Sequence, residues 1–168
     1  MINIIAGNIL SFLASLCSLT STRMKTYKQT MLVQTLDATL FTLSNLVLGG
    51  YSGVVVNLCA AIRNLYCVFG KQNKIVIYLF ITISFILSVI FRDKAWYGFI
   101  PIIASTLYGI VILNTNDVVI LKKVLIINNV LWLVYGLILI DISGTIFKLV
   151  AIVSCIQSLH KLRRLNIS

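Results

Sequence analysis

Seven apolar runs separated by short polar joints divide the chain from end to end. They cover approximately Ile2 to Leu19, Met31 to Leu48, Ser52 to Phe69, Ile75 to Phe91, Trp96 to Leu113, Val124 to Ile140 and Ile142 to Leu159. None shows the alternation of apolar and polar residues that a membrane barrel strand requires. Each reaches the lower limit of about 17 residues that a helix needs to cross ~30 Å of hydrocarbon at 1.5 Å per residue. Inside lipid only helices or a closed barrel satisfy the backbone, so the pattern predicts an all-α membrane protein with seven transmembrane helices. The joints at Gly49-Gly50-Tyr51 and around Asp141 are so short that the helices on either side must be antiparallel neighbours.

A shift of 91 residues lays the second run on the sixth and the third on the seventh. It aligns Ser52-Gly53 with Ser143-Gly144, Leu46 with Leu137, Leu58 with Leu149 and Ala60 with Ala151, and it superposes the two tight joints. It also aligns Asp37 with Asn128 and Phe41 with Trp132. This self-similarity predicts two parallel three-helix repeats, 1–70 and 95–168, joined by an inverting linker helix within 71–94. The fourth run carries nothing more polar than Tyr78, Thr82, Ser84 and Ser88, as expected of a helix that mainly faces lipid.

Composition agrees with this reading. The hydrophobic fraction is 60% and the mean hydropathy is +1.04, beyond the roughly 45 to 50% apolar residues of a soluble domain. With 14 Lys and Arg and only 4 Asp and Glu, the charge of +10 would suggest nucleic acid if the basic residues were clustered. They are instead spread between the apolar runs, so no nucleic-acid partner is expected. If the first helix begins outside, ten of the fourteen basic residues fall in cytoplasmic joints and the C-terminus, while Arg92 and Lys94 fall outside. The positive-inside rule thus places the N-terminus outside and the C-terminus in the cytoplasm. The first run has no Lys or Arg ahead of it and no small-residue cleavage site, and is read as a retained span. The cysteines Cys17, Cys59, Cys67 and Cys155 have no metal or redox spacing, and they are read as packing residues. His160, beside Lys161, is read as interfacial.

Polar residues within the runs are the functional candidates, because an ionisable side chain in a span costs roughly 2.5 to 3.5 kcal/mol. Asp37 and Arg63 each lie about six residues from the cytoplasmic end of their helices, at a similar depth of roughly 9 Å. They are expected to form an ion pair, either as a gate or solute contact or as a simple pin between helices. Gln34, Asp37, Phe41, Ser44 and Asn45 share one face of the second helix, and Asn128, Trp132 and Tyr135 share the equivalent face of the sixth. Polar groups beside aromatic rings on two repeat-related helices suit a central cavity for a small polar solute; the alternative is interhelical hydrogen bonding. Asn57 and Lys148 occupy equivalent positions nearer the outer side. Lys148 either faces inward and favours an anionic group or, as the sequence favours, snorkels to the outer interface. Arg63 points about 100° away from Asn64, so the polar residues of the third helix are not all expected to line one pore.

The stretch from Gln34 through Leu46-Val47-Leu48-Gly49-Gly50-Tyr51-Ser52-Gly53, followed by Asn57 and Ile62-Arg63-Asn64, resembles the YgjV family of bacterial inner-membrane proteins, chiefly over the second and third helices. The resemblance implies a location in the bacterial inner membrane and carries no established activity. More remotely, three helices, a linker and three helices look like the SWEET and PQ-loop group of small-solute carriers, whose parallel repeats enclose a central site. In that group an asparagine pair on the third and seventh helices contacts the solute, and here only Asn57 keeps the residue type. The chain also departs from the group in its prolines, since Pro101 is the only one and no Pro-Gln pair follows it.

No catalytic set, metal-ligand cluster or phosphate-cradling loop is visible, so neither an enzyme nor a cofactor is expected. The expected function is a carrier or facilitator of a small polar solute, with Asp37, Asn57, Arg63, Asn128, Trp132 and Lys148 as contact residues. The alternative is a non-transporting scaffold or receptor that holds a lipid or partner protein through Arg23, Lys25, Lys28, Arg163 and Arg164. The lipid bilayer is the expected partner in both cases, with homo-oligomers left open.

Overall fold

The computed structural model of the chain describes residues 2–21, 27–69, 73–114 and 118–165. Among these residues are seven α-helices: α1 (Ile2–Ser21), α2 (Tyr27–Leu48), α3 (Tyr51–Phe69), α4 (Lys74–Ile90), α5 (Phe99–Asn114), α6 (Val118–Ile138) and α7 (Ile142–Leu165). They follow the seven apolar runs closely. The largest differences, six residues each, are at α7, which ends at Leu165 beyond the predicted Leu159, and at α6, which begins before the predicted Val124. Nothing between Val118 and Lys123 breaks a helix, so the helix continues past the apolar stretch through Lys122 and Lys123. A single 3-10 turn, Trp96–Gly98, precedes α5. Pro101 falls in the first turn of α5, where a missing N–H costs nothing. Asn73 caps α4, its side chain accepting the Ile75 N–H at 3.0 Å.

The polarity of the surface is inverted relative to a soluble protein. The outward faces carry Ile, Leu, Val and Phe, among them Ile2, Phe69, Ile75, Leu79, Ile90 and Ile146. Ser11, Ser15, Ser44, Asn45, Ser52, Asn64 and Asn129 are buried between helices. Lipid is as apolar as leucine and drives no burial of leucine, so small and polar residues at the helix contacts do the packing. Among the described residues three helices are long and apolar enough to cross a bilayer: Ile2–Thr20, Met31–Leu48 and Tyr51–Phe69. Three further apolar stretches, Lys74–Ile90, Trp96–Val111 and Ile142–Gln157, are shorter.

Among the described residues six helices close a ring in the order α1, α2, α3, α5, α6, α7, with α7 returning to α1. The remaining helix, α4, packs against α3 and α5 across their seam. Its other faces are largely exposed, and only Ile81 and Ser88 are buried, in keeping with a lipid-facing helix.

Two tight turns, α2 to α3 and α6 to α7, define one end of the bundle, hereafter the hairpin end. Their backbone hydrogen bonds correspond at an offset of 91. Gly49 (φ 81°) and Ile140 (φ 59°) both adopt the left-handed conformation. Gly50 N–H donates to Asn45 O and Asp141 N–H to Gly136 O, each at 2.8 Å. Val54 N–H donates to Gly50 O and Thr145 N–H to Asp141 O, each at 3.1 Å. The opposite end, hereafter the loop end, is where α1, α3 and α5 finish; residues 22–26, 70–72 and 115–117, with Arg23, Lys25 and Lys71, lie outside the described residues. Cys17, Cys59, Cys67 and Cys155 are free thiols, with Cys67 and Cys155 buried, and His160 is exposed.

Candidate functional site

A cavity of about 460 Å³ lies within the ring. Its lining begins at Phe41, Val56, Trp132 and Lys148 and descends past Asp37, Asn57, Arg63 and Asn128 to Met31, Cys67 and Leu125. No lining residue lies on the hairpin side of that first level, so the cavity belongs to the half of the bundle away from the tight turns. All six candidates, Asp37, Asn57, Arg63, Asn128, Trp132 and Lys148, line it. Six pairs separated by 91 residues face it together, among them Asp37 with Asn128, Phe41 with Trp132, and Asn57 with Lys148.

Helix geometry explains the convergence. Gln34, Asp37 and Phe41 recur at three and four residues along α2, and Asn128 and Trp132 at four along α6, so each set forms one inward stripe. The stripe on α2 does not extend as far as its sequence suggests. The Ser44 hydroxyl leaves it to donate to Gly7 O of α1 at 2.8 Å, and Asn45 donates to Phe41 O at 2.9 Å.

Two expectations about charge are corrected. Lys148 does not snorkel to the outer interface; it turns inward, with its Nζ 4.8 Å from the centre of the Phe41 ring. The ring's negative face compensates part of the ammonium's lost hydration. Lys148 thereby shares the cavity with Asp37, and Asp37 Oδ1 accepts no hydrogen bond from Arg63. The Arg63 guanidinium instead turns to its neighbour, donating from Nη2 to Asn64 Oδ1 at 3.2 Å. By folding back, the long Arg63 side chain reaches the cavity beside Asn57 and Asn64, so all three polar residues of α3 line one space despite their angular separation. Asp37 Oδ1 and Asn57 Nδ2 are buried with no hydrogen-bond partner.

The hairpin end closes the ring above the cavity. Asp93, in the link between α4 and α5, is its centre. Its Oδ1 accepts the Tyr51 N–H at 2.8 Å. Its Oδ2 accepts the Ser52 N–H at 3.4 Å and the Tyr135 hydroxyl at 2.9 Å, while its own N–H donates to Ser52 Oγ at 2.9 Å. The Tyr135 hydroxyl in turn accepts the Gly53 N–H at 3.2 Å, and the tyrosine is 1% exposed. Across the ring, Asn8 of α1 treats the start of α7 in the same way. Its Oδ1 accepts the Ser143 N–H at 3.0 Å, and its Nδ2 donates to Ile140 O at 2.9 Å. The Asp141 carboxylate accepts the Ser11 hydroxyl at 2.6 Å and the Gly144 N–H at 2.9 Å.

Asn8 and Asp93 escape a sequence reading because each acts on a helix distant in the chain. Asn129 and Tyr108, which also line the cavity, had one available signal between them, the position of Asn129 beside Asn128. Among the described residues no group of three or more His, Cys, Asp or Glu side chains is placed to hold a metal ion. The side chains of Lys161, Arg163 and Arg164 lie outside those described.

No curated protein and no solved structure matches the chain. A family model does match, over residues 5–166 and thus nearly the whole length, and with it the lipid-facing surface and the hairpin motif find one explanation: this chain belongs to the Imp-YgjV family of bacterial inner membrane proteins.

Proposed function

We propose that this protein carries a small polar solute across the inner membrane, through the cavity between two parallel three-helix units, α1 to α3 and α5 to α7, with α4 as the inverting linker. In this reading all seven helices cross the bilayer and the hairpin end faces outward. Two observations support the paired units. The hairpins agree in hydrogen bonding and in left-handed φ at an offset of 91 residues. The two seams of the ring, α3 with α5 and α1 with α7, are also related by that offset. Lys28, Lys74, Lys122 and Lys123 at the loop end support the orientation, and exposed Trp96 and Tyr51 suit an outer interface. A likeness to the SWEET and PQ-loop carriers belongs to the same proposal, without their proline hinges.

The observation that carries the reading is the content of the cavity. A bundle held together only by polar contacts between helices would pair its buried charges and amides. Here Asp37 Oδ1 and Asn57 Nδ2 are buried without partners, on residues that line a space of about 460 Å³ whose polar lining comes from both units. That volume lies within the roughly 300 to 1,000 Å³ of small-molecule sites.

The test is uptake into proteoliposomes across a broad panel of labelled metabolites. Saturable uptake of at least one solute is expected, falling about tenfold or more in Asp37→Asn or Arg63→Ala. Equal accumulation in loaded and empty vesicles across the panel would instead favour a protein that binds a lipid or partner and moves nothing.

A further inference from the structure

Within that reading, the arrangement of charge in the cavity narrows the solute. Asp37 and Lys148 face the same space with opposite signs and act on one another, yet no salt bridge joins them among the described residues. Lys148 Nζ sits over the Phe41 ring, and Phe41 is one helical turn from Asp37 on α2. Asp37 and the residue whose ring holds the ammonium are thus about 5 Å apart along α2. Opposite charges in an apolar bundle attract strongly, and lysine is flexible enough to close such a distance. The structure instead presents them side by side. One is a carboxylate whose buried Oδ1 has no partner, the other an ammonium on an aromatic face, and Asn57, with its buried and unpartnered Nδ2, lines the same cavity.

Each class of solute meets this lining differently. A neutral polyol would leave both charges without a counter-charge in low dielectric, which is costly. A monoanion would meet Lys148 and Arg63 but face the Asp37 carboxylate, and a monocation would meet the reverse. A molecule with both charges on a compact skeleton answers all of them. We infer that the carried solute is a small zwitterion of the amino-acid class, its ammonium on Asp37 beside Phe41 and Trp132 and its carboxylate at Lys148 and Asn57.

This inference rests on the carrier reading, and wild-type protein can test it apart from that reading. Purified full-length protein in lipid nanodiscs would be titrated with the neutral L-amino acids one by one, with the matching amines lacking the carboxylate, with the matching acids lacking the amine, and with a hexitol. At least one amino acid is expected to bind ten times or more tightly than its amine or acid counterpart, with the hexitol weaker still. Asp37→Asn should lower amino-acid affinity at least tenfold while leaving the acid counterpart unchanged or tighter. Lys148→Met should lower amino-acid affinity and spare the amine. If no amino acid binds, or if singly charged or neutral probes bind as tightly, the inference is overturned. Saturable uptake of some other solute would then leave the carrier reading standing, whereas no saturable uptake of any solute removes both.

Discussion

The two ends of this bundle use the same few polar residue types to opposite effect. At the hairpin end, Asp93, Asp141, Asn8 and Tyr135 are occupied: both carboxylates are bonded at both oxygens, and the Tyr135 hydroxyl both donates and accepts. In the cavity, Asp37 and Asn57 each keep a buried atom without a partner, and the ammonium of Lys148 rests on a ring. Ser15 and Ser88 also bury an unpartnered hydroxyl, but these are small and neutral. Satisfied polar groups in an apolar medium hold helices together, whereas unsatisfied charged ones cost stability wherever they persist. The contrast separates the residues that build the ring from those that equip its interior.

Substitutions can break the contrast or sharpen it. Asp93→Ala should have the largest effect, because it orphans the Tyr51 and Ser52 N–H groups and the Tyr135 hydroxyl at once; a loss of about 3 to 5 kcal/mol is expected in reversible unfolding from mixed micelles. Tyr135→Phe removes only the hydroxyl shared by Asp93 and Gly53, and should cost about 2 kcal/mol in the same measurement. Asp37→Asn should change stability by less than about 1 kcal/mol, since no folded-state hydrogen bond to Oδ1 is lost, even as it abolishes most uptake. A large loss there would place Asp37 with the structural residues and erase the distinction. The smallest change is expected from Ile140→Gly. A left-handed β-branched residue costs about 1 to 2 kcal/mol and glycine gives back about 0.5 to 1 in unfolded-chain entropy, so a gain of about 0.5 kcal/mol should appear as a slightly higher melting temperature.

Much of the fold was legible because membrane helices announce themselves by length. Gly49-Gly50 and Asp141 marked the two tight turns, and the inward stripes of α2 and α6 followed from three- and four-residue spacing. The rotation of a single polar residue on an apolar helix was not legible. Lys148 could lie along lipid or turn inward, and the choice is made by a ring on α2, over a hundred residues away in sequence. The partner of Asp37 failed for the same reason: counting residues from the helix ends estimates the depth of Arg63 but not the direction of its guanidinium, which Asn64 takes. Asp93 was passed over as one charge among Arg92 and Lys94 in a short link. Its role rests on two backbone N–H groups and a tyrosine hydroxyl that only the closed ring brings to it.

The crossed caps have a consequence for how the molecule comes apart. The first turn of α3 is held by a carboxylate from the link into α5, and the first turn of α7 by an amide from α1, so each half of the chain completes a helix that belongs to the other. Either half made alone would carry N–H groups at its own turn that no side chain caps. Cooperativity therefore spans the whole length: melting should proceed as one transition, and a truncated product should be recognised by quality control as unfinished.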